Sequence, residues 1–512
     1  MKIHQIFTLG VLSSALLLTG CSDSFLESEP QTKATLEEYF SSKEHIMEAL
    51  TAAYNPMHTY DYNVDADGDG QYTPLIFSDL MADIVWVGAS DPTDQEIWHL
   101  AANYSSTPLN AIYNVWNVSY KGIKRTNDVL YYLDEAGDKI LQQDKDAIAA
   151  EARVLRAWYY CQVWKFYGSV PYFTTTLTAP YRADQLAPDA VYANVIADLE
   201  GAIALNALPM AWDSDNLGRV SKAMAYMLYA EMVMYQNDNS RYATALRYMQ
   251  EILADSNYGL NPSYADIFTP GGEWTQESIF EINYIDGPSA GRAYDNINAI
   301  GGTILPKVIS PDGGAVDASG KNIEGGWGTF IVRQSTYDMY DANDLRRAAT
   351  CFVHTGTYKK RYQDTGIFLN KYLARNKAAD TGGAPDMGFS DNMRVYRYAE
   401  TLLNAAELLV LTGGDLSVAK GYIWQVRSRA GLTTQVDATI DNILNERKLE
   451  FVGEGKRYWD LIRTGKAASV LVPDEFGYRT KAWTTGKKYL PIPQKEISAS
   501  EGTLRQNDAY MN

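Results

Sequence analysis

Between Asn392 and Thr464 the apolar residues recur at three- and four-residue spacing, and this period confines the segment to helices. Val395, Tyr398, Ala399, Leu402, Leu403, Ala406 and Leu409 form one stripe, with small residues where a second helix can come close. Gly413 and Gly414 stop that helix, because glycine takes the left-handed C-terminal conformation without strain. Asp415 is placed to cap a second helix, which carries Ala419, Tyr422, Ile423, Val426 and Ala430 on one face and ends at Gly431. The pattern predicts an antiparallel pair, one tetratricopeptide-like hairpin.

The same period returns elsewhere. Residues 145–167 are apolar on more than one side, so this helix should be central and buried. Residues 222–236 and 242–254 form a second pair, about 34 residues with its turns. Further helices are expected over 191–205 and from Leu109, whose face includes Ile112, Tyr113, Trp116, Tyr120, Ile123 and Leu130. Thr35-Leu-Glu-Glu38 is a capping box that should open a helix with Leu36, Phe40, Met47, Leu50 and Tyr54 on one side.

Two stretches lack the period. Residues 57–108 and 257–391 mix glycine, proline, acidic and aromatic residues, and only Ser278–Tyr284 alternates as a strand would. The expected fold is mostly α: a tetratricopeptide-like scaffold over 35–56, 109–256 and 392–464, with a large loop-rich, partly irregular, ligand-facing portion. Residues 35–512 are read as a single domain.

A charged segment follows the hairpin. Glu446 and Glu450 lie one helical turn apart, with Arg447, Glu454, Arg457, Asp460 and Arg463 nearby. We expect an ion-pair network that clamps the segment to the hairpin rather than acid–base chemistry. Arg397-Tyr-Ala-Glu400 with Glu407, Val426 to Leu432, Glu446-Arg447, Gly453 to Arg457 and Asp460 to Arg463, in this order, resemble the C-terminal signature of the SusD/RagB family of Bacteroidetes nutrient-binding lipoproteins. Glu151 to Trp158, Phe166 to Pro171 and, in the tail, Lys488 to Pro493 and Arg505 to Tyr510 resemble the same family, so the resemblance spans essentially the whole mature chain. Arg153 and Arg156 should pair with buried carboxylates.

Residues 1–20 read as a secretory signal, with Lys2, a short apolar run and Leu18-Thr-Gly-Cys21, which resembles a bacterial lipobox. Cys21 is therefore the expected lipidation site, and acyl chains there, palmitate among them, would anchor the protein. Residues 21–34 form a tether, whose acidic start resembles a surface-export signal, placing the chain on the outer membrane facing the exterior. The net charge of −18 argues against nucleic acid, whose phosphates need a positive surface. No Cys/His cluster has zinc spacing, and Cys161 reads as a buried thiol, although pairing with Cys351 stays open. Asp65, Asp67 and Asp69 with Gly70 resemble the start of a calcium loop. Position 12 is Ile76 instead of glutamate, so a solvated turn is expected over a metal site, and no cofactor is expected.

The ligand should meet the loops. Sugar rings present C–H faces that stack on aromatic rings, while polar side chains bond the hydroxyls. Trp98, Trp274, Tyr294 and Trp327 are the expected ligand-binding residues. The resemblance implies capture of an oligosaccharide or polysaccharide and its delivery to a TonB-dependent, SusC-like outer-membrane transporter. A peptide ligand on the same architecture is the alternative. A glycosidase is the lesser one, because no motif isolates a pair of carboxylates; the chain is read as not an enzyme.

Overall fold

The computed structural model describes residues 35–64, 68, 70–375, 377, 378, 380 and 382–511. The signal, the whole tether with Cys21, and Asp65, Asp67 and Asp69 lie outside the described residues.

Eight helices build a stack: α1 (Lys43–His58), α2 (Asn114–Glu135), α3 (Gln142–Tyr167), α4 (Pro188–Ala204), α5 (Lys222–Gln236), α6 (Tyr242–Ala254), α7 (Tyr398–Leu411) and α8 (Leu416–Arg429). Each packs on the next, and α7 packs directly on α6 although more than a hundred residues separate them in sequence. The irregular part is thus looped out of a continuous tetratricopeptide-like array, in which each unit covers its neighbour's apolar face. α3 is the centre, buried from Ile148 to Tyr167 except at Ala149 and Arg153. Arg156 pairs with Asp198 at 2.8 Å, and Arg153 approaches the same carboxylate at 3.8 Å. Asp415 caps α8 by accepting from Ser417 and Val418, and Gly431 follows the helix in the left-handed region at φ +84°.

Three helix starts differ from the sequence pattern. Thr35 does form a capping box, yet that helix lasts only Leu36–Tyr39, and Ser42 caps a fresh start for α1. Leu36 is consequently exposed. Leu109 lies in a short turn before α2 and is 86% exposed, because the helix begins only at Asn114. Val395 belongs to a strand instead of α7: Met393–Arg397 pairs antiparallel with Ser278–Ile282, and that ladder holds the chain extended until Tyr398.

The loop-rich segments also hold a four-stranded antiparallel sheet. β1 (Val85–Val87), β2 (Phe330–Val332), β3 (Cys351–Val353) and β4 (Ile367–Leu369) pair in the order β3-β4-β2-β1. Three residues are too few to display a two-residue period, so sequence pattern misses them. Cys161 and Cys351 are both buried and unpaired. Burial pushes the Cys351 thiol up to about 12.

The charged segment is a buried clamp. Helix α9 (Ile440–Glu450) ends on Glu450, whose carboxylate meets Arg429 at 2.5 Å and Arg346 and Arg397 at 3.1 Å each. Arg346 also binds Glu446 and Asp344, Arg397 also binds Glu454, and Arg429 reaches Glu277. Asp344, Arg346 and Glu277 come from the irregular part, while Arg429, Glu446 and Glu450 come from helices, so the network locks one to the other. Although burial opposes ionisation, the surrounding guanidinium groups hold Glu450 down at about 2. Arg447 joins Asp460 and Glu400, Arg457 joins Asp83, and Arg463 joins Glu407 and Asp460.

Candidate functional site: a cluster of aromatic rings on the irregular face

After α1 the chain enters two short strands, Asn63–Val64 and Gly70–Gln71, which pair antiparallel with Asn63 opposite Gln71. One step outward the same register sets Tyr62 opposite Tyr72, and their rings lie 4.7 Å apart. Gly70 makes this possible. A Cβ there would stand 2.3 Å from the Tyr62 hydroxyl, so any other residue would push the ring away.

Two further rings complete the cluster. Tyr294 meets Tyr62 edge-on at 5.2 Å, and Trp327 meets Tyr72 edge-on at 5.3 Å. Tyr294 is 39% exposed, Tyr72 and Trp327 are half-buried, and Tyr62 is covered. The Tyr294 hydroxyl donates to Asp386 at 3.1 Å, and Lys307 reaches the other oxygen of that carboxylate at 3.4 Å. Lys307 also donates to the Gly325 carbonyl, and its own carbonyl accepts from the Trp327 amide. Burial pushes the Tyr72 hydroxyl up to about 12, so the phenols of this cluster are neutral at physiological pH.

The foundation is an ion pair. Arg292 is almost fully buried and binds Asp61 at 2.6 and 3.1 Å, with further bonds to the carbonyls of Tyr62 and Gly302. Asp61 also accepts from the Thr303 hydroxyl and the Ile304 amide. One carboxylate–guanidinium pair thereby fixes the strand carrying Tyr62 against the loop carrying Tyr294.

The four sequence-predicted rings part company here. Tyr294 and Trp327 are brought together. Trp98 is a correction: it is 1% exposed, packs on Phe77 and Phe330, and donates its Nε1–H to the Tyr72 carbonyl at 2.9 Å. It supports the cluster from within and cannot meet a ligand. Trp274 lies elsewhere, half-buried at φ +50°, with its Nε1–H bonded to Asn283 and its amide to Glu281. Tyr62, Tyr72, Lys307 and Asp386 escaped sequence reading. The first two could have been found as residues flanking a glycine- and aspartate-rich turn at matching distances; the other two carry no local signal.

Fold and site together define a helical-repeat protein that displays a rimmed patch of aromatic rings on an irregular insertion. Residues 351–510 match the family described as the SusD family, and residues 24–234 match one described as starch-binding and associating with outer membrane. The solved surface glycan-binding protein A from Bacteroides thetaiotaomicron is 50% identical, covering 92% of this chain and 100% of its own, with a TM-score of 0.85. The same protein is known in complex with laminarihexaose, covering 91% and 99% of the two chains at a TM-score of 0.85. Surface glycan-binding protein A from Bacteroides uniformis is 44% identical over 92% of this chain and 100% of its own, with a TM-score of 0.83. Among curated proteins, SusD-like protein P25 of Formosa agariphila is 25% identical over 100% of this chain and 99% of its own. This chain belongs to the SusD family.

Proposed function

We propose that this chain is a cell-surface glycan-binding lipoprotein, and that its ligand is a neutral glucan of the laminarin kind. The carrying observation is the partly exposed cluster of Tyr72, Tyr294 and Trp327, with Asp386 and Lys307 beside it. Rings offer stacking faces to the C–H side of a pyranose, and the carboxylate and ammonium offer acceptor and donor to its hydroxyls. The laminarihexaose complex of the 50% identical Bacteroides thetaiotaomicron protein supports this choice of glucan. No specific observation favours a peptide.

The description of one matched family as associating with outer membrane supports placement there. We further infer lipid anchoring through Cys21, orientation to the cell exterior, and hand-over of the bound sugar to a TonB-dependent, SusC-like transporter. We read the chain as a binder and not a hydrolase, because Asp386 is engaged by Tyr294 and Lys307.

Calorimetry of residues 22–512 with laminarihexaose tests the reading. Binding is expected, and Trp327→Ala should weaken it about tenfold, equivalent to the loss of one stacking contact of about 1–1.5 kcal/mol. An affinity unchanged in both Trp327→Ala and Tyr294→Ala would show that the sugar binds elsewhere. Prolonged incubation should return the hexaose intact; shorter sugars in the mixture would make the chain an enzyme.

A further inference from the structure

A second ring-lined cavity lies where α2 and α3 meet the C-terminal tail. It holds about 330 Å³, within the range of small-ligand sites. Trp116 and Tyr120 come from α2, Phe173, Tyr181 and Arg182 from the turn after α3, and Glu496 from the tail. Tyr120 and Phe173 are stacked nearly parallel, 12° apart at 6.1 Å, and the Tyr120 hydroxyl is tied to the Pro171 carbonyl. These rings are held still, so little side-chain freedom remains to be lost on binding.

Tyr181 is the feature that folding does not explain. It is 72% exposed and sits at φ +58°, a region that residues with bulky side chains avoid. Strain of this kind gathers at ligand clamps. Opposite it, Glu496 is tucked against Trp116 and Tyr113, and burial raises its carboxyl above the usual range. Arg182 is paired with Glu501 at 2.6 Å. The lining mixes rings with hydrogen-bonding groups and pairs its arginine internally, and so suits a polyol with a C–H face.

The cavity is also connected to the ring cluster. Gln71, next to Tyr72, accepts from the amides of Tyr113 and Asn114, and Asn63, next to Tyr62, donates to Asn117. The start of α2 therefore bonds the two short strands beside the primary cluster and also carries Trp116 and Tyr120 into the cavity.

Resting on the glucan reading above, we propose that this cavity is a second, auxiliary sugar site that takes a pyranose of the same polysaccharide, with Tyr181 as its stacking residue. A short oligosaccharide would fill the primary cluster alone, whereas a long chain would engage both. The second contact then forms at a high effective concentration, and affinity for polymer exceeds affinity for oligomer.

The test compares laminarihexaose with polymeric laminarin on wild-type protein, Tyr181→Ala, Tyr181→Phe and Trp327→Ala. Tyr181→Ala should weaken polymer binding at least fivefold and leave hexaose binding unchanged. Tyr181→Phe should behave as wild type, because stacking is kept, and Trp327→Ala should weaken both ligands. Polymer, but not hexaose, should also slow amide hydrogen exchange across residues 173–183 and 496–504. Unchanged polymer affinity in Tyr181→Ala would overturn the second site while leaving the primary one standing, and so would an equal loss for both ligands. A wild-type protein that binds neither glucan would remove both readings together.

Discussion

Two clusters of this molecule use opposite chemistry for opposite ends. Around Glu450, charged groups are almost fully buried and each is matched by a partner, and the cluster joins the insertion to the helical stack. Around Tyr72, uncharged rings are packed on one another but only partly covered, with Tyr294 exposed and Tyr72 and Trp327 half-buried. A buried charge cannot be released without a heavy desolvation cost, so the first cluster holds shape and has nothing left to offer a ligand. An exposed ring costs little and can still stack on a sugar, so the second cluster is free to bind. Charge in the interior and aromatic surface at the rim are thus the structural and the functional halves of one design.

The largest effect should come from breaking the first half. Glu450→Ala takes one carboxylate partner from each of the buried Arg346, Arg397 and Arg429, and removing one partner of such a network costs about 3–5 kcal/mol. Denaturant unfolding should show that loss, while the protein that stays folded keeps its affinity for laminarihexaose. A parallel fall in affinity would mean that the clusters are not separate. Asp61→Asn is the informative next case, because the Asp61–Arg292 pair belongs by chemistry to the first kind and by position to the second. It should cost about 3 kcal/mol of stability, the low end for a broken buried pair, and also weaken glucan binding. Stability loss with binding intact would show that the rings need no foundation.

Acid should separate the two regions in pH. His58 lies beside Tyr284 and close to the Asp61–Arg292 pair, and burial together with nearby Arg292 lowers it from about 6.5 to about 4. The unfolded chain takes up a proton at His58 before the folded one does. Stability is therefore full above pH 6.5 and falls between about 6.5 and 4, by up to about 3 kcal/mol. Glu450 is likewise depressed, so its contribution is full above about 4.5 and is lost as pH falls through about 2. Unfolding free energy measured against pH should show an upper slope that His58→Gln removes and a lower one that it leaves. A single slope untouched by His58→Gln would refute the assignment.

The contrast also explains what could be read in advance. Helices α3, α5 and α6 were legible because long apolar periods admit no other reading. The ion-pair clamp was legible because Glu446, Glu450 and Arg447 fall within one short helix, although Arg346 and Glu277, distant in sequence, were invisible as partners. The site was half legible. An isolated tryptophan looks the same whether it is fully buried, as Trp98 is, or left half-buried, as Trp327 is, because exposure is decided by residues far away in sequence. Tyr62 and Tyr72 depend on a two-residue strand pairing, and Asp386 depends on meeting Tyr294 across a fold of the insertion.

The smallest expected effect divides the ring from its hydroxyl. Tyr294 can act on a sugar by stacking, or by holding Asp386 in place through its hydroxyl. Tyr294→Phe keeps the ring and its edge contact with Tyr62 but frees the carboxylate, which Lys307 still holds at 3.4 Å. A hydrogen bond to a carboxylate contributes about 1.5–3 kcal/mol, but here it acts on the sugar only through the placing of Asp386, which Lys307 also holds, so affinity should fall by no more than about threefold. Tyr294→Ala removes stacking as well and should approach the tenfold loss expected at Trp327. If Tyr294→Phe instead matched Tyr294→Ala in calorimetry, the orientation of Asp386 would be the working element, and the surface half of the comparison would rest on a placed charge after all.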